Sequence, residues 1–114
     1  MIYTNTARGF NLLQFKDFYG DTIDIQKSSI ATDDCIWFGP SNANPQIMAS
    51  KASAHGVETN ETCGWVPFPV PDDVFLSTRA HLSREMVAEL IPILQHFVDT
   101  GDLPTLKNQQ GETN

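Results

Sequence analysis

Basic residues are scarce in this chain. It holds 7 Lys and Arg against 14 Asp and Glu, a formal charge of −7. That balance argues against a general DNA- or RNA-binding role, because such proteins need a basic surface to displace counterions from phosphates. Long apolar runs are missing too: nothing approaches the ~20 residues needed to cross a bilayer as a helix. The first residues, Met1 to Arg8, lack the basic start and apolar stretch of a secretory signal. There are 2 cysteines, Cys35 and Cys63, with no Cys-x-x-Cys spacing. A cytoplasmic protein with reduced thiols is therefore expected. There is no glycine-rich phosphate loop of the Walker or dinucleotide type, no internal repeat and no low-complexity segment.

Catalytic and metal constellations are also thin. Neither cysteine has a histidine close in sequence, so a Cys–His nucleophile has no local support. Asp33-Asp34 and Asp72-Asp73 lie beside expected turns, where aspartate is common for backbone reasons. A zinc site drawn from Cys35, His55, Cys63, His81 and His96 would have no familiar spacing. The expectation is a protein with no catalytic residues, no metal and no cofactor.

What is present reads as a single α+β domain over residues 1–106, followed by a flexible polar tail at 107–114. Gly9 to Lys16 is rich in Phe and Leu. Its apolar phase changes between Leu12 and Leu13, which requires a bulge or burial of both faces. Asp17 to Asp21 supplies turn chemistry, with Gly20 able to take positive φ. Thr22 to Gln26 alternates, with Ile23 and Ile25 inward and Thr22, Asp24 and Gln26 outward. Cys35 to Gly39 reads as a buried strand ended by glycine. Pro40 to Asn60 reads as a long loop with a short strand at Ile47 to Ala49. Prolines at 67, 69 and 71 suit a sheet edge or covering arm, since each removes a backbone donor. Val74 to His81 reads as another strand or extended run.

Arg84 to Thr100 is the clearest element. Val87, Leu90, Ile91, Leu94, Phe97 and Val98 form an apolar stripe at helical spacing, and Gly101 suits the closing position. Pro92 predicts a kink near Ala88 to Leu90. The fold expected is a small antiparallel β-sheet followed by a main C-terminal amphipathic helix. Ile93, Val98 and the proline-rich edge leave apolar surface, so an oligomer is expected.

Binding has better support than catalysis. Ser83 is a good N-cap, and Arg79, His81 and Arg84 bracket it, so the helix entry reads as an anion site. Packing near the core edge is the plainer reading of His81, and solvation that of the two arginines. Lys27 and Ser28 add a cation and a hydroxyl at a strand end. Trp37 offers a flat aromatic face against which a ring could stack while arginine holds phosphate.

Several of these segments together resemble one family. Phe15 to Gly20, Ile25 to Ser29, Ile36 to Gly39 and Thr78 to Glu85, with the following helix as far as Leu103, are similar in order and spacing to the Thoeris anti-defence protein 1 family of phages. The resemblance implies a non-catalytic sponge. Such proteins bind the cyclic ADP-ribose-type signal of a bacterial TIR-domain defence enzyme without cleaving it. Some also bind cyclic trinucleotides, and they form dimers or hexamers. On this resemblance Arg79 and Arg84 would contact the pyrophosphate, His81 and Ser83 would support them, and Phe75 and Trp37 would stack on the ligand. The chain departs from the family picture in having no arginine after Arg84. Two rivals remain: an acidic phage inhibitor acting by protein–protein contact with a host defence protein, and an enzyme using Asp33, Asp34 or His81 to degrade the same signal.

Overall fold

The computed structural model describes residues 1–105. Seven strands and two helices follow in the order β1 (Ile2–Asn5), β2 (Asn11–Lys16), β3 (Thr22–Lys27), β4 (Cys35–Pro40), β5 (Gln46–Met48), α1 (Ala49–Ala52), β6 (Trp65–Pro67), β7 (Ala80–Ser83) and α2 (Arg84–Thr100). Five strands form one antiparallel sheet in the order β1-β2-β3-β4-β7, while β5 and β6 pair separately. The architecture is the expected α+β arrangement of sheet and C-terminal helix, with a short second sheet set into the long loop.

Local chemistry explains the central hairpin. Asp17 Oδ1 accepts from the backbone N–H of both Tyr19 and Asp21, and Gly20 takes φ +88°. A short carboxylate bonding its own turn in this way closes β2 onto β3. The change of phase at Leu12 and Leu13 needs no bulge. Leu12 faces Gln26 and Leu13 faces Ile25 in unbroken register, and Leu12 to Phe15 are all half-buried. Both faces of this strand are covered in part, the second of the two expected outcomes.

Side-chain alternation gives the sheet two unlike faces. One carries Leu13, Phe15, Ile23, Ile25, Ile36 and Phe38. Ile23 on that face is buried, and the Phe15 and Phe38 rings meet edge-on at 6.5 Å. The other carries Gln14, Asp24, Gln26, Trp37 and His81. Apart from the sheet, β5, α1 and β6 hold a small core of their own, Ala49, Ala52 and Val66, flanked by Ile47 and Val57.

The structure departs from the sequence expectation at β1, over residues 74–79 and at α1, which starts at Ala49 where the short strand was expected to end. β1 was not foreseen, because a four-residue edge strand with both faces in solvent carries no apolar alternation. Residues 74–79 form no strand; regular pairing starts only at Ala80, opposite Phe38. α2 runs unbroken from Arg84 to Thr100 with Pro92 inside it. Its ends match the expectation: Ser83 Oγ accepts from Met86 N–H at 3.2 Å, and Gly101, at φ +77°, donates to the Phe97 carbonyl. Leu103 is exposed and does not cover the sheet. The last residue of the expected domain, 106, and the expected tail at 107–114 lie outside the described residues.

α2 leaves the sheet rather than lying on it. None of its 17 residues is buried, and Met86, Leu90, Ile91, Ile93, Leu94, Phe97 and Val98 are each 37–74% exposed. The surface of the chain is 9307 Å². A compact monomer of this mass would expose about 6,200 Å², and residues 106–114 could add at most about 1,500 Å² even if fully extended. Roughly half of the excess therefore belongs to the described part of the chain.

Candidate functional site

The polar face of the sheet gathers a connected set of side chains. Gln26, Trp37 and His81 occupy matching register positions on β3, β4 and β7. The His81 ring stacks on the Trp37 indole with centroids 4.1 Å apart and planes 27° from parallel. Arg79 Cζ sits 5.6 Å from the centre of the same indole. An aromatic face polarised in this way attracts a guanidinium. Arg79 Nη1 donates to Gln26 Oε1 at 2.8 Å and lies 3.6 Å from Asp24 Oδ2. Gln14 Nε2 and Ser41 Oγ both donate to Asp24 Oδ1, at 2.8 and 2.5 Å.

The chain reaches this place by a close backbone approach. A Cβ at Gly39 would lie 2.6 Å from the Thr78 carbonyl oxygen and 3.0 Å from Arg79 Cα. Only glycine lets residues 78–79 cross the end of β4 at that distance. Thr78 Oγ1 donates to the Pro40 carbonyl at 2.7 Å and pins the crossing. The sequence marks Gly39 as the end of a strand; its structural task is to admit the Arg79 segment.

Ser28 lies below the stacked pair. It is buried, its N–H donates to the Cys35 carbonyl, its Oγ accepts from Ile30 N–H at 3.2 Å, and His81 Nε2 is 2.9 Å from the same Oγ. The serine thus seats the imidazole against the tryptophan.

A cavity of about 250 Å³ opens beside this cluster, lined by Trp37, Ser41, Arg79 and the 75–78 segment, with Phe75 on its rim, 88% exposed. The arrangement can hold a flat ring against aromatic surface with a fixed guanidinium at its edge. A larger cavity, about 540 Å³, lies beside α1. Its lining carries Glu58 and Glu61 and no cation among the described residues, so it suits an anionic ligand poorly.

The eight residues singled out from sequence fall into two groups. Arg79, His81, Ser28, Trp37 and Phe75 belong to the polar-face cluster and its cavity. Lys27 and Arg84 instead flank Asp34, at 3.3 and 3.8 Å, in an exposed group at the entry to α2. Ser83 uses its hydroxyl to cap the helix. Asp24, Gln26, Gln14 and Ser41 carry much of the geometry and were not singled out. For Asp24 and Gln26 the signal was the polar half of the β3 alternation, which reads equally well as a solvated face; Gln14 on β2 and Ser41 after β4 had none. Both cysteines are free thiols, Cys35 buried and Cys63 exposed.

Among the described residues no group of three or more His, Cys, Asp and Glu converges as a metal site, and no helix is long and apolar enough to cross a membrane. Fold and site together define a small α+β domain with an aromatic–guanidinium pocket on an antiparallel sheet. Comparison with known proteins yields no matching family model, no matching curated protein and no matching solved structure.

Proposed function

We propose that the chain is a phage anti-defence protein. It binds a TIR-produced cyclic ADP-ribose-type nucleotide in the host cytoplasm and sequesters it without cleaving it, with cyclic oligonucleotides as further ligands. The observation that carries this reading is the convergence of Trp37, Phe75 and Arg79 on one cavity of an otherwise acidic chain. A purine stacks on the exposed Phe75 ring beside the indole, and the phosphates lie toward the guanidinium. The cavity is of a size to take a base, so the rest of the ligand extends over the rim.

Binding without chemistry is supported by how the acid–base candidates are engaged. His81 Nε2 meets a serine hydroxyl, and Asp34 is shared between Lys27 and Arg84. The Ser28 hydroxyl beside His81 is buried and already accepts from Ile30 N–H, so it is not presented to a ligand as a nucleophile would be. Titration calorimetry with a cyclic ADP-ribose isomer, followed by heat denaturation, tests the proposal. Saturable binding with intact ligand recovered supports a sponge; recovery of breakdown products alone, or no binding, sinks it.

The apolar stripe of α2 needs a cover, and we assign it to further copies of the chain in a dimer or hexamer. An excess surface beyond about 1,500 Å² per chain matches what stable dimers bury. The same stripe favours a second reading, an acidic inhibitor that docks on a host defence protein. Light scattering separates the two: a mass of several chains supports self-assembly. A single-chain mass, together with capture of a host defence protein and no nucleotide binding, supports the inhibitor.

A further inference from the structure

Arg79 shares its half-buried position with an opposing charge. Asp24 is 7% exposed, with Oδ2 at 3.6 Å from Arg79 Nη1. Its other oxygen is held from two sides by Gln14 and Ser41, so the carboxylate cannot swing away when an anion approaches. The cavity beside Trp37 has no other charged lining residue than Arg79 among the described residues. A carboxylate this close offsets roughly half of the guanidinium's attraction for a phosphate in contact with it, and more at longer range. The site therefore offers the donor geometry of a guanidinium with little net charge behind it.

Resting on the nucleotide-binding reading above, we infer that Asp24 sets the charge selectivity of this site. Each phosphate of a cyclic pyrophosphate is doubly esterified or bridged and carries one charge. A terminal phosphate, as in ATP or free pyrophosphate, carries between one and two and is repelled more strongly by a fixed carboxylate. A protein that sequesters a scarce cyclic nucleotide must not be filled by open-chain nucleotides. Asp24 supplies that discrimination while Gln26 keeps the guanidinium in place.

The experiment uses the full chain and titrates pyrophosphate, ATP and a cyclic ADP-ribose isomer into the wild type and three variants. Asp24→Asn keeps the size and hydrogen bonds of the side chain and removes its charge. Pyrophosphate and ATP should then bind at least about tenfold more tightly, with a steeper loss of affinity as salt is raised. Gln26→Glu places a second carboxylate against Arg79 and should weaken binding of every anion. A purely structural role for this row would weaken binding in both variants, so the opposite signs are the signature. Gln14→Lys offsets the same carboxylate from its other side, should reproduce the gain, and decides the matter if Asp24→Asn does not fold. A folded Asp24→Asn or Gln14→Lys protein with unchanged or weaker pyrophosphate and ATP affinity overturns the inference. A wild type that ignores the cyclic nucleotide while Asp24→Asn gains pyrophosphate overturns the sponge reading alone and leaves the role of Asp24 standing.

Discussion

The five-stranded sheet and α2 solve the problem of surface in opposite ways. On the sheet, polar groups find partners within the chain: Asp24 is met by Gln14, Ser41 and Arg79, and His81 by Ser28 and Trp37. The helix has sound local chemistry at both ends yet leaves its apolar stripe in water. Hydrogen bonds and ion pairs can be completed by a few well-placed neighbours. Apolar area needs a whole facing layer, and among the described residues no layer covers this stripe. The polar face of the sheet is thus satisfied within the chain, whereas the helix leaves its apolar stripe exposed, the face for which self-assembly is proposed.

The sharpest break of that contrast lies on α2. Replacing Leu94 and Phe97 together by Glu should convert the assembly to single chains by light scattering. In a chain that is naturally monomeric, the same changes at half-exposed positions would leave both mass and melting temperature nearly unchanged. Next in size is Gly39→Ala on the sheet. Its Cβ meets the backbone of Thr78 and Arg79, so unfolding in urea should show a loss of about 2–3 kcal/mol. Nucleotide affinity should fall with it, and an unchanged midpoint would mean that the 78–79 crossing is not tightly seated.

Arg79→Ala comes third. Loss of a charge-assisted bond to phosphate costs about 1.5–3 kcal/mol, ten- to a hundredfold in affinity. Arg84→Ala should change nucleotide affinity by less than about threefold, since its guanidinium is exposed and faces Asp34 rather than the cavity. Calorimetry that shows the larger loss at Arg84 would move the site to the entry of α2. Smallest is Ser83→Ala, which removes the N-cap and should cost about 1 kcal/mol in thermal or urea unfolding. Nucleotide affinity should stay within about twofold, because that hydroxyl serves the helix.

The parts of the molecule that were legible in the sequence are those whose causes are local. The stripe from Val87 to Val98, Ser83 before it and Gly101 after it mark the helix, because period and caps act within a few residues. Asp17 and Gly20 mark the hairpin turn for the same reason. The candidate site was legible only as a set of residue types. Arg79, His81 and Trp37 were singled out, but the bond from Arg79 to Gln26 spans 53 positions in the chain. Nothing near either residue announces the other. Asp24 illustrates the limit: alternation assigns it correctly to the polar side of β3, yet that side is half-buried because β7 returns beside β4 and brings Arg79 with it.

By itself the sequence determined the β2–β3 hairpin, the main helix and where that helix starts and stops. It also set an acidic, sparsely basic chain on which any anion site must be assembled from few cations. Tertiary structure alone decided that β7 closes the sheet next to β4, that Arg79 parts company with Arg84, and that the guanidinium comes to rest between Trp37, Gln26 and Asp24. The division has one physical reason. Backbone propensity and capping are short-range, whereas the partner of a buried charge is chosen by whichever strand the packed sheet places beside it.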